Sequence, residues 1–164
     1  MRPTIFLTLE PYLAQWLIHE NEGVYPIPIK RGSAEAEVLQ LHLRKRPNGY
    51  RGQKEAKPGQ VEIMLPAFKN RDTRIYCYLP REGEVCLHQT IRTRFKVKLW
   101  KDLHTVGNVV KRTDIAISEW MTAHGIEVDD TNWNTIAKIL QRNRAVYSPD
   151  RHIKNLKFLK NLKK

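Results

Sequence analysis

Asn134, Thr135, Lys138, Gln141, Arg142 and Arg144 are the residues of this sequence whose combined chemistry is easiest to state. Asparagine and glutamine offer paired donors and acceptors to base edges, and lysine and arginine neutralise phosphates. At about 100° per residue, Asn134, Lys138, Gln141 and Arg142 fall on one side of a helix, with Thr135 at its margin. Arg144 sits near the end of the apolar stripe, where it is expected to reach a phosphate. Every amphipathic helix has a polar face, so composition decides whether this one binds anything. The chain of 164 residues carries 29 Lys+Arg against 17 Asp+Glu, a net charge of +12. From Asn134 onward there are nine Lys/Arg and one acid, Asp150, whereas residues 114–130 hold five acids and no Lys or Arg. Such an imbalance does little for folding and much for attraction to polyanions, and its segregation suits a binding face beside a supporting element.

Other chemistries lack a constellation. The six histidines are scattered, none in an HxH, HExxH or HxxxH pair, and His88 with Cys86 and Cys77 has no fourth ligand at a zinc spacing. There is no glycine-rich phosphate loop and no GxSxG, and Asp129-Asp130 is explained as helix capping. The chain is therefore expected to work without cofactor or metal, and not as an enzyme. Cys77 and Cys86 are expected as two reduced core thiols rather than a hairpin disulfide. With no signal-peptide pattern and no window near the roughly 18 apolar residues of a membrane span, the expected setting is a cytoplasm. Tyr76, Tyr78 and Phe95 with their cationic neighbours suit either a stacking platform for single strands or, more simply, the core; all four tryptophans fall on apolar stripes.

These residues must be positioned by an α+β fold: a small N-terminal β-sheet with helices, followed by a mainly helical C-terminal part. Thr4 to Leu9 reads as a strand, and Pro11 opens a helix with Tyr12, Leu13, Trp16 and Leu17 on one stripe. The prolines in Val24 to Ile29 allow only an edge strand or a surface strap. Ser33 caps a helix expected to run to Arg46, and Pro47 to Gln60 is a loop. Val61 to Leu65 and Arg74 to Leu79 look like a second pair of strands. From Val85 to Leu99 two patterns compete. Alternation gives a strand, and Leu87, Ile91, Phe95, Leu99 and Leu103 at i+4 give a helix; fifteen residues is long for a strand, which favours the helix. Either way Arg92, Arg94, Lys96 and Lys98 form a cationic surface.

Ile117, Trp120, Met121 and His124 mark another helix, stopped at Gly125, and Asp129 to Thr131 cap a further one carrying Trp133, Ile136, Ala137 and Leu140. The pair is helix-turn-helix-like, although the connection from His124 to Thr131 exceeds the three or four residues of a compact motif. After Ser148-Pro149, leucine or isoleucine recurs every third residue beside Lys154, Lys157, Lys160 and Lys163, a basic amphipathic helix suited to docking on the domain, pairing with a second copy, binding an anionic membrane or folding against nucleic acid. The expected organisation is an α+β core over 1–106, the helical pair over 107–147 and a basic tail over 148–164.

Gly107-Asn108, Arg112, Asp114, Trp120-Met121, His124-Gly125-Ile126, Asn132-Trp133-Asn134, Ile136, Lys138 and Arg142 to Arg144 together resemble the C-terminal part of small basic proteins of unknown function carried by bacterial prophages and other mobile elements. The likeness covers about a quarter of the chain. It implies a mobile-element setting and a helix over 85–99, and supplies no activity. The expected function is nucleic-acid binding, DNA rather than RNA and double-stranded, in a regulatory or architectural role. The alternative is a structural or assembly protein that binds a protein partner through its C-terminal helices.

Overall fold

A computed structural model describes residues 3–105 and 112–147. The fold is α+β, with a small three-stranded sheet near the N-terminus and five helices. It divides into two compact units, Met1–Phe95 with His124–Glu127, and Lys96–Ala123 with Val128–Lys164.

In the first unit, β1 (Thr4–Thr8) leads into α1 (Pro11–Glu20), whose first turn is opened by Pro11. β2 (Ile27–Pro28) is followed by α2 (Ala34–His42) and β3 (Gln60–Met64). The sheet order is β1-β3-β2: β3 pairs antiparallel with β1, Ile5 opposite Ile63 and Leu7 opposite Val61, and parallel with β2. Those four residues are buried, and the pleat turns Thr4, Phe6 and Glu62 outward on the other face. Proline-bearing β2 takes an edge, where a missing N–H costs no ladder bond.

Two expectations fail here. Arg74 to Leu79 forms no strand; it is a turn whose Tyr78 makes one antiparallel bridge with Arg44. Its one ladder contact among the described residues is to Arg44, just past the end of α2, and not to the sheet. The same bridge shortens α2, which ends at His42 rather than Arg46: Leu43 turns extended and Arg44 exchanges backbone hydrogen bonds with Tyr78. Ser33 caps α2 as expected, its Oγ accepting from the Ala36 N–H at 3.2 Å.

The run at 85–99 is helix, part of the 23-residue α3 (Arg81–Leu103). Leu87, Ile91, Phe95, Leu99 and Leu103 are all buried, one continuous stripe at i+4. The first three belong to the first unit, where Phe95 meets the rings of Tyr12 and Trp16 edge-on at 5.0 and 5.3 Å. Because the run is helical, Cys86 lies on the exposed side and only Cys77 is buried; both are free thiols. Gly83 leaves no room for a side chain between α3 and its neighbours: a Cβ there would lie 2.5 Å from Leu79 Cδ1 and 2.7 Å from His42 Cβ of α2. Gly83→Ala is expected to lower stability by about 1–2 kcal/mol in urea unfolding, since an overpacking cost of about 1–3 kcal/mol outweighs the roughly 1 kcal/mol that alanine gains in a helix.

The second unit holds the rest of α3 with α4 (Thr113–Ala123) and α5 (Asp130–Tyr147). Its core is Leu99, Leu103, Ala116, Ile117, Trp120, Met121, Ile136, Ile139 and Leu140. Buried Trp120 keeps its indole N–H satisfied by donating to Asp102 Oδ2 at 2.9 Å. No helix among the described residues is long and apolar enough to cross a membrane.

Candidate nucleic-acid interface

The helical pair forms as its caps require. Gly125 takes φ +68°, the left-handed conformation that ends the preceding helix at low cost. Asp129 caps α5: its Oδ1 accepts the Asn132 N–H at 2.7 Å, and Oδ2 accepts from the Asn132 side-chain amide at 3.1 Å. That second bond is how buried Asn132 is tolerated on the core side of the helix. Burial of Asn132, Ile136, Ile139 and Leu140 fixes the rotation of α5, and the opposite side faces solvent.

On that opposite side Asn134, Lys138, Gln141 and Arg142 are all exposed. Thr135 is half-buried, and its hydroxyl donates to the Thr131 carbonyl at 2.8 Å. Neither Lys138 nor Arg142 makes an ion pair among the described residues. Two cations one turn apart therefore stand on one helix face with no ion-pair partner among the described residues, beside two amides that can meet base edges. Arg144 lies on the flank of this face, half-buried, with Nη2 enclosed and without a hydrogen-bond acceptor.

The cations of α3 fare differently. A strand would have set Arg92, Arg94, Lys96 and Lys98 in one row; the helix separates them into Arg92 with Lys96 and Arg94 with Lys98. In the first unit Arg94 Nε lies 2.8 Å from Oε1 of the buried Glu35, a contact held by charge more than by hydrogen-bond alignment, and the guanidinium covers the Trp16 ring at 5.0 Å. Arg92 is half-buried beside Glu10 and Tyr12, with Nε enclosed and unbonded. In the second unit Lys98 pairs with Asp102 at 3.1 Å, and Lys96 is half-buried without an ion pair among the described residues. Lys154 and Lys157 of the tail lie outside the described residues. Phe95, fully buried, cannot join Tyr76 and Tyr78 in a stacking platform. Tyr76 instead lies under Lys45 and Arg71, and Tyr78 meets Tyr50 edge-on.

Glu10 accepts from His88 Nε2 at 2.7 Å. Partial burial opposes its charge, but the His88 hydrogen bond, its own backbone N–H and the fields of His88 and Arg92 outweigh that and hold the carboxyl below its ordinary 4.5. The interaction thus stabilises the fold above the unfolded value and is lost as pH falls through the lower folded one. Glu10→Gln is expected to reduce the melting temperature slightly near neutral pH and to make its fall below pH 4.5 shallower, as read from thermal melts down to about pH 3. Burial and the Glu10 charge push the Tyr12 phenol above its usual range, so it remains neutral.

Trp100, His104 and Tyr147 were not singled out by sequence. Trp100 and Tyr147 are on different helices, and only their ring contact, centroids 5.3 Å apart, makes them a unit. The spacing of Trp100 and His104 at i+4 was the one available signal. No family model, curated protein or solved structure matches this chain.

Proposed function

We propose that this chain is a non-enzymatic nucleic-acid-binding protein that engages double-stranded DNA with the exposed face of α5, in a regulatory or architectural role within a mobile element. The observation that carries the reading is the contrast between two sets of arginines and lysines. Among the described residues Lys138 and Arg142 are exposed and unpaired beside Asn134 and Gln141, whereas Arg94 and Lys98 are held by carboxylates. An unpaired pair one turn apart loses no internal partner when it meets phosphates, and the net charge of +12 draws the chain toward them. Electrophoretic shift against duplex DNA and RNA at two salt concentrations tests it. Binding that weakens with salt and favours DNA supports the reading; binding that is salt-insensitive, or none, overturns it.

A second reading, a structural or assembly protein of a prophage, draws on a different observation in the same unit. An open groove beside α4 and the start of α5 is lined by Asp114, Glu119, Asp129 and Asp130 around the apolar Ile115 and Val128. Such a groove fits a basic, apolar peptide segment better than a nucleic acid.

A further inference from the structure

We propose that Trp100, His104 and Tyr147 form a stacking platform for an unpaired nucleobase, placed so that the strand carrying that base runs onto the exposed face of α5. The inference rests on the nucleic-acid reading of α5 and adds to it a contact for an unstacked base, such as one at a frayed end or in a single-stranded extension of the duplex that α5 engages.

The platform is built from two helices of one unit. On α3, Lys96 and Trp100 stand one turn apart on the same side, and His104 continues their line just past the helix end. On α5, Tyr147 brings its ring to Trp100, centroids 5.3 Å apart and planes at 34°. The imidazole of His104 lies 5.6 Å from Trp100 at 38°. His104 is fixed there because its Nδ1–H donates to the carbonyls of Trp100 and Lys101, at 3.0 and 3.1 Å. The three rings are thus positioned before any ligand arrives, which reduces the entropy cost of binding.

Their exposure is what packing does not explain. Tyr147 is 64% exposed, and Val97 beside Trp100 is 61% exposed. Trp100 is half-buried, with part of its ring left open, unlike Trp16 and Trp120, which are buried in their cores. Aromatic faces left at a surface among cations are what bases stack on, and they accept any base because every base has a π-face. The cations are in place: Lys96 one turn before Trp100, exposed Lys101 next to it, and Arg144 one turn before Tyr147. Around α5 at about 100° per residue, Tyr147, Arg144 and Gln141 succeed one another toward Lys138 and Arg142. A backbone leaving the platform therefore meets Arg144 first and then the unpaired cations of the α5 face.

The test uses the full chain, an oligothymidylate and a blunt-ended duplex, with affinity read by fluorescence anisotropy and stacking by quenching of tryptophan emission. Tyr147→Ala is the principal variant, since an exposed residue at a helix end can be removed without unfolding the chain; Tyr147→Phe keeps the ring and Trp100→Leu removes the other half. Expected is a loss of oligothymidylate affinity of about 5- to 100-fold in Tyr147→Ala and in Trp100→Leu, with near-full retention in Tyr147→Phe and little change for the duplex. Quenching on addition of oligothymidylate should fall in Trp100→Leu. If the chain binds duplex while Tyr147→Ala and Trp100→Leu leave oligothymidylate affinity and quenching unchanged, the platform is overturned and the α5 reading stands. Binding to neither probe overturns both.

Discussion

Alanine at both Lys138 and Arg142 is expected to lower duplex affinity roughly 10- to 100-fold at moderate salt, each lost phosphate contact costing about 1 kcal/mol or somewhat more. The salt dependence is the sharper readout. Each phosphate neutralised contributes about 0.9 to the slope of log affinity against log salt, so removing two contacts should make that slope shallower by about 1.8. Both side chains are exposed and make no ion pair among the described residues, so melting temperature should be nearly unchanged, and loss of binding cannot then be ascribed to loss of fold. Asn134 and Gln141 supply a complementary result: as amides they carry no charge, and alanine there should alter preference among duplex sequences while leaving the slope as it was. A double variant with unchanged affinity and unchanged slope would remove α5 as the binding face.

Arg94→Ala is expected to produce the opposite pattern, a large loss of stability with little direct effect on binding. Glu35 is 2% exposed, and Arg94 is the charge that compensates it, at 2.8 Å. Removing one member of a buried ion pair strands the other, at about 3–5 kcal/mol. The low end, about 3 kcal/mol, applies because the Arg94 side chain is 44% exposed and water reaches part of it. The lost cover over the Trp16 ring adds to this. Glu35→Gln in the Arg94→Ala background should recover part of the loss in urea unfolding, because a neutral amide needs no counter-charge. If Arg94→Ala instead kept its stability and weakened nucleic-acid binding, Arg94 would belong to the interface and the contrast between α3 and α5 would fail.

These two variants separate residues that look alike in the sequence. Arg94 and Arg142 are both arginines on amphipathic runs, and nothing local distinguishes them. Their difference comes from Glu35, which lies 59 positions from Arg94 along the chain and is brought to it only by folding of the first unit.

The sequence by itself determined whatever depends on neighbours within a turn or two. The i+4 stripe from Leu87 to Leu103, the Ser33 and Asp129 caps, the glycine terminus at Gly125, the edge position of the proline-bearing strand and the outward face of α5 all follow from periodicity, capping chemistry and φ preference, and all are present. Only the tertiary structure decided what depends on distant partners. Arg74 to Leu79 has the composition of a strand, yet strand formation needs a partner along its length, and folding gives it a single bridge from Tyr78 to Arg44. Arg94 looks like the other α3 cations until folding supplies Glu35 to it, whereas the Lys98–Asp102 pair lies within one helical turn. Trp100 has the pattern of a core residue, and its place in a surface ring cluster follows from where Tyr147 ends on another helix. Propensity and capping act over a few residues and are legible in one chain; which charge is neutralised and which ring is left at the surface are set by contacts across tens of residues, where the order of the letters carries no local signal.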